Sequence, residues 1–206
     1  MIVRPYGIDL MPPSVKTRPI ASRTAILDAA HEILVARGWG AARMADVAAW
    51  VGVSRQTVYN EFGSKEGLAR AVLLRETGRY LDAVSGLLDS HAGDPERGIE
   101  AAVLFTLVEA ADNPLLKAVL TASGNELLPL MTTRSEWLLV ASRAVIVDSL
   151  TRHLPDLSEE DVAMVAEAAV RLTVSHLVLS TEPPETTARR LARLVSGYLR
   201  STGGVP

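Results

Sequence analysis

VGVSRQTVYNEFGSKEG, residues 51–67, sets a turn glycine, two serines and a row of polar side chains on only a few apolar anchors. Gly52 tolerates positive φ and suits a sharp turn, and Ser54 is a natural N-cap for the next helix. In that helix, Val58 and Phe62 stand at i and i+4 and point inward. That leaves Gln56, Thr57 and Asn60 outward, with Tyr59 at the edge. Upstream, the pattern predicts a short helix from about Met44 to Val51, with Val47, Ala48 and Val51 inward. Before it, Ile26, Leu27, Ala30, Ile33 and Leu34 repeat at helical spacing from an N-cap at Ser22 to a stop near Gly38. Two helices joined by a three-residue glycine turn, packed on a third, form a helix-turn-helix.

The outward groups of the third helix suit double-stranded DNA. Arg55 can pair with guanine O6 and N7, and Gln56 with adenine N6 and N7. Thr57, Asn60 and Lys65 suit the sugar-phosphate backbone. Lys65 follows Ser64 at the start of the next helix, where free N–H groups and the positive dipole end favour a phosphate.

Arg23, Ile26-Leu27, Ala29-Ala30, Gly38, Trp39, Asp46-Val47-Ala48, Gly52-Val53-Ser54, Thr57, Tyr59 and FGSKEGL from Phe62 keep a shared spacing. Through them, residues 20–70 resemble the tetracycline-repressor (TetR) family. The resemblance implies an all-α homodimer, with a small DNA-binding domain followed by a larger, divergent domain that binds a small molecule and dimerises. It also implies that Arg55, Gln56 and Tyr59 approach base edges, while Thr57, Asn60 and Lys65 approach phosphates. Three positions depart from the family pattern. Arg43 stands where Thr is frequent and Ala45 where a polar or basic residue is, so Arg43 is expected to act as a phosphate clamp. Glu61 replaces a common aromatic or His. A carboxylate beside phosphates is unfavourable unless it pairs with cytosine N4 or with a nearby Arg, and the intramolecular pair is the expectation.

Charge supports this division. Residues 1–70 carry nine Lys and Arg against six Asp and Glu, whereas residues 71–206 carry twelve against eighteen, so a polyanion contact belongs to the first third. A length of 206 residues at 48% hydrophobic content can bury a sizeable core. The absence of Cys suits a reducing compartment, and the cytoplasm is the expected location. Residues 1–16 carry Asp9 and three prolines and offer no apolar signal core, and Met11 provides a second candidate start. No membrane span is expected. The expected organisation is an N-terminal arm over 1–21, a DNA-binding domain over 22–68, and a ligand-binding and dimerisation domain over 69–206.

The remainder reads as helices. A long one from about Ser64 to Ser90 links the two parts, and HAGDPERG ends it. IEAAVLFTLVEAADNP from Ile99 is so apolar all round that a central position is expected, with Thr106 and Glu109 its polar interruptions. A short helix between Pro114 and Gly124, a longer one ending before Pro155, and one opened by a capping box at Ser158 and Asp161 come next. The last helix is expected to start near Thr186 or Thr187. Its stripe of Leu191, Leu194, Val195, Tyr198 and Leu199 needs a partner surface, which a twofold mate of the final two helices would supply.

Phe105, Trp137 and His176 are the candidate ligand-binding residues, although apolar core packing accounts for such residues more often. Few charges fall among them, which points to a small apolar effector. No phosphate loop, nucleophile elbow or metal-ligand spacing occurs, and His31, His91, His153 and His176 are scattered. Neither an enzyme nor a cofactor or metal is therefore expected. The expected activity is that of a repressor binding a palindromic operator as a dimer. The alternatives are an activator, or an interaction module that has lost DNA binding.

Overall fold

The computed structural model describes residues 23–113 and 135–202, and among these the regular elements are eight helices. The first four are α1 (Arg23–Ala41), α2 (Met44–Val51), α3 (Arg55–Phe62) and α4 (Lys65–Ser90). Gly38 interrupts α1 with φ 73 and ψ 168, at the stop the sequence predicts. The arm over 1–21 and the cap at Ser22 lie outside the described residues. Gly52 ends α2 at φ 77 and ψ 29, and its N–H donates to the Ala48 carbonyl at 3.0 Å. Side chains other than glycine rarely adopt this left-handed backbone, so the residue type and the turn are one requirement.

These helices close on one apolar cluster. Ile26, Ala30 and Ile33 of α1 meet Val47 and Ala48 of α2, Val58 of α3, and Leu68 and Val72 of α4, all buried. Val51 and Phe62 are partly buried against it, as their spacing predicts.

The remaining helices are α5 (Pro95–Asp112), α6 (Ser135–His153), α7 (Glu159–Val178) and α8 (Pro184–Ser201). The short helix expected over 114–124 lies outside the described residues. Helix α5 is central and packs against α4, α7 and α8. Its burial is one-sided, because Val108 is exposed while Ile99, Val103 and Leu107 enter a second apolar cluster. The buried Thr106 hydroxyl donates to the Ala102 carbonyl at 2.8 Å and accepts from Tyr80 Oη at 2.7 Å, so the polar interruption joins α5 to α4. Burial raises the Tyr80 phenol above its ordinary value. Glu109 is half-buried and accepts from the Asn113 amide at 3.4 Å. At the far end of α4, Asp89 accepts from Arg152 at 2.9 Å and contacts His153 Nε2 at 3.0 Å, which ties α4 to the last turn of α6. The His153 contact, with Arg152 beside it, holds the Asp89 carboxyl below its ordinary value.

Two expectations for the last helix need correction. It begins at Pro184, before Thr186, because the Pro183 carbonyl accepts from the N–H groups of both Thr186 and Thr187. A proline in the first turn has its φ preset and its missing N–H costs nothing there. The stripe, moreover, is largely covered within its own chain. Leu191, Val195 and Leu199 are buried in the cluster with α5 and α7, and the buried Ala188 and Ala192 allow close approach. Tyr198 is half-buried, and its hydroxyl donates to Asp161 at 2.6 Å. Leu194 is the member left exposed, at 61%. The α7 cap forms where expected, with Ser158 Oγ accepting from the Asp161 N–H at 3.1 Å and donating to its carboxylate at 2.6 Å.

Candidate nucleic-acid interface

Helix α3 is capped at its start and anchored from below. The Ser54 hydroxyl accepts from the Thr57 N–H at 3.0 Å, and Val58 is wholly enclosed beneath the helix. Arg55, Gln56 and Asn60 are exposed, whereas Thr57 and Tyr59 are half-buried. The Thr57 hydroxyl lies 2.8 Å from Ser54 Oγ and is partly committed to the cap.

The outward side chains stand in two i,i+4 pairs. Arg55 Nη2 donates to Tyr59 Oη at 3.2 Å, with the guanidinium 5.2 Å from the ring centroid. Gln56 Nε2 donates to Asn60 Oδ1 at 2.8 Å. Each pair restricts rotamers that binding would otherwise have to order. Each also leaves hydrogen-bonding capacity: Arg55 keeps further guanidinium donors, and Gln56 keeps its carbonyl oxygen and second N–H, the pair adenine N6 and N7 require. The i,i+4 spacing was the available signal for both pairs.

Glu61 lies 3.1 Å from Arg23 Nε, and the same guanidinium lies 5.3 Å from the Phe62 ring centroid. The carboxylate thus has an intramolecular cation from α1, as expected. Arg43 is exposed at the N-terminus of α2, where its carbonyl accepts from the Asp46 N–H at 3.0 Å. The α2 and α4 helix starts therefore each carry a basic residue, Arg43 and Lys65, flanking α3 in sequence.

Ser64 caps α4 by accepting from the Gly67 N–H at 3.0 Å. A β carbon on Gly67 would lie 2.0 Å from the Phe62 carbonyl oxygen, so glycine is what lets α4 start hard against the end of α3. The Glu66 carboxyl is held below its ordinary value by its own backbone N–H and by the Ser64 hydroxyl. The chain's own anion thus takes part of this helix end. Lys65 Nζ donates to the Gly40 carbonyl at 3.5 Å, a long contact that a phosphate oxygen can outcompete. Replacing Lys65 with Ala should weaken binding to all DNA sequences uniformly and flatten the slope of log affinity against log salt by about one per subunit. Titrations at several salt concentrations check this; an unchanged slope removes Lys65 from the phosphate contacts.

Of the candidate ligand-binding residues, the side chains of Phe105 and His176 fall among the described residues. Phe105 stacks on Tyr80 with ring centroids 5.9 Å apart and an interplanar angle of 14°. His176 is half-buried on α7, and the side chain of Trp137 lies outside the described residues. An open groove of about 360 Å³ between α6 and α7 is lined, among the described residues, by Leu139, Arg171, Val174, Ser175 and Leu179, which include neither Phe105 nor His176.

Comparison with known proteins bears on both halves. Residues 26–72 match the family described as bacterial regulatory proteins, tetR family, and residues 94–197 match the bacterial tetracyclin repressor C-terminal domain. The chain belongs to the TetR family. A relative named HTH-type transcriptional regulator AlkX, from Mycobacterium tuberculosis, is 33% identical over 182 residues, spanning 88% of this chain and 86% of its own. The crystal structure of the TetR-family repressor AlkX from a Dietzia species, implicated in biodegradation of n-alkanes, aligns at a TM-score of 0.70. It is 28% identical and covers 88% of this chain and 99% of that one. A Mesorhizobium loti TetR-family regulator shares the fold at a TM-score of 0.62 and 19% identity, covering 86% and 95%. The chain is accordingly a DNA-binding, helix-turn-helix transcription regulator of the TetR family, and its relatives are regulators rather than enzymes. No helix among the described residues is long and apolar enough to cross a membrane.

Proposed function

We propose that this TetR-family chain is a homodimeric repressor that places α3 of each subunit in successive major grooves of a palindromic operator and is released by a small apolar effector. The observation that carries the reading is the paired row of Arg55, Gln56, Tyr59 and Asn60 on a capped helix. Arg55 and Gln56 read base edges with Tyr59 beside them, while Arg43, Thr57, Asn60 and Lys65 hold phosphates. Residues 22–68 form the DNA-binding domain, and 69–206 form the effector and dimer domain. The first apolar cluster extends to Val72, so α4 belongs partly to both.

The exposed Val140 of α6, Met164 of α7 and the neighbouring Leu179 provide apolar surface for the twofold contact, with the last helix mostly spent on its own core. For the effector, the likeness to a repressor implicated in n-alkane biodegradation supports an aliphatic chain, in keeping with the apolar helices that carry Phe105, Trp137 and His176. Helix α4 contacts α1, α3, α5 and α6, so a ligand that repacks α5 or α6 can change the separation of the two recognition helices. It can do so only to the extent that it binds the free geometry better than the DNA-bound one.

Titrating the purified chain with n-alkanes and 1-alkanols of graded length tests this. A matching compound at a hundred times its Kd should stabilise the fold by about 2.7 kcal/mol. Coupling is reciprocal, so a compound that loosens operator binding tenfold is itself bound about tenfold more weakly by the operator complex. Thermal stabilisation with operator affinity unchanged would leave the ligand without a regulatory role.

A further inference from the structure

The contact between α1 and α4 changes character along α4. Up to Val72 it is apolar and enclosed. One turn later α4 presents Arg75, Glu76 and Arg79 to Thr24, Asp28 and His31 of α1. Arg75 sits at the centre, with its side chain only 16% exposed. Its Nη1 donates to Asp28 Oδ1 at 2.7 Å and to the Thr24 carbonyl at 3.4 Å, and its Nε donates to Glu76 Oε1 at 3.0 Å. Arg79 Nη1 donates to the same Glu76 oxygen at 3.3 Å, and His31 Nδ1 lies 3.6 Å from it.

Apolar packing is non-directional and leaves two helices free to roll and slide over each other by small amounts. A planar guanidinium engaged on two sides fixes an angle. At its N-terminus α4 starts hard against the end of α3, with Gly67 close to the Phe62 carbonyl, and Leu68 and Val72 pack in the shared apolar cluster. Because that packing is non-directional, this end serves as a pivot. Arg75 supplies a second point on α1, roughly two turns further along, and two separated points determine an orientation.

We infer that Arg75 is a positioning residue for operator recognition: by clamping α1 to α4 through Asp28 and the Thr24 carbonyl, it sets the angle of the helix-turn-helix on α4 and thereby which half-site spacing the dimer accepts. The inference rests on the dimeric, palindromic reading of the proposed function. It adds a residue that touches no DNA yet decides a property of the DNA chosen. Without the clamp, the unit rocks about the Gly67 pivot, the correct spacing loses its advantage, and neighbouring spacings become tolerable.

The test uses the inverted-repeat fragment that the full wild-type chain enriches from genomic DNA, and the same fragment with one base pair inserted at its centre. Wild-type protein should bind the inserted fragment about tenfold more weakly or worse, in the range of ordinary coupling. Arg75→Met, which keeps the apolar stem, should bind the parent fragment more weakly and reduce the ratio between the two to about threefold or less, while its affinity for random-sequence DNA and its salt slope stay at wild-type values. Asp28→Asn, at a more exposed position that does not endanger folding, should move the ratio the same way by less. Arg75→Lys should restore part of it, since an ammonium keeps the charge and loses the fork. A folded Arg75→Met or Asp28→Asn protein with the wild-type ratio overturns the inference alone. A wild-type protein indifferent to the inserted base pair overturns the dimeric reading, and the inference with it.

Discussion

Leu199→Ala should lower the thermal midpoint by about 4–20 °C, whereas Leu194→Ala on the same helix should shift it by only about a degree or two. Leu199 is fully enclosed in the cluster of α5, α7 and α8, while Leu194 is 61% exposed. Truncating an enclosed leucine loses its transfer free energy and leaves a cavity, about 2–5 kcal/mol together, and a chain of this size loses about 2–4 °C per kcal/mol. Circular-dichroism melts at several protein concentrations make the comparison and separate core loss from subunit dissociation, since only the latter depends on concentration. Equal effects at the two positions would return the stripe to a subunit interface and contradict the packing of α8 on α5.

For recognition, the largest effect is expected at Arg55. Arg55→Ala should cost about 1–3 kcal/mol of operator affinity for each bidentate base pairing it removes, so up to about twice that for a dimer, and should relax preference at a single base position in each half-site. Gln56→Ala should do the same at a neighbouring position. Because Arg55 also holds Tyr59, by a 3.2 Å hydrogen bond and a cation–π contact, Tyr59→Phe is the control that removes the bond and leaves the guanidinium. A small change in Tyr59→Phe beside a large one in Arg55→Ala assigns the energy to the base contact. Affinities for the operator and for single-base variants at fixed salt measure both. Wild-type affinity in both Arg55→Ala and Gln56→Ala would remove α3 from direct readout.

The parts of this molecule legible in the sequence are those whose causes lie within a few residues of each other. The turn at Gly52, the caps at Ser54 and Ser158, and the inward pair Val58 and Phe62 each arise from local backbone or side-chain chemistry. The spacing of Ile26, Ala30 and Ile33 identifies a buried face for the same reason. Periodicity states that a face is covered and is silent about what covers it. Hence the stripe on α8 was legible and its partner α5, far away in the chain, was not. Glu61 could be expected to need a cation, but Arg23 became identifiable only once α1 lay beside α3. The Arg75 and Asp28 contact has no sequence signal, because two surface-type charges 47 residues apart read as solvated. Around the candidate effector residues, Phe105 stacks on Tyr80, a pairing that the apolar pattern of α5 does not specify.

The proposed dimer has two copies of α3 reading an inverted repeat through Arg55 and Gln56. Sequencing the genomic fragments retained by purified wild-type protein, in parallel with those retained by the Arg55→Ala and Gln56→Ala proteins, checks this. Wild type should enrich an inverted repeat with half-sites one or more helical turns apart, about 10–10.5 base pairs each. Each variant should lose information at its own symmetric pair of base positions while the spacing persists. Enrichment of no inverted repeat, or of the same motif undiminished in both variants, would contradict the claim.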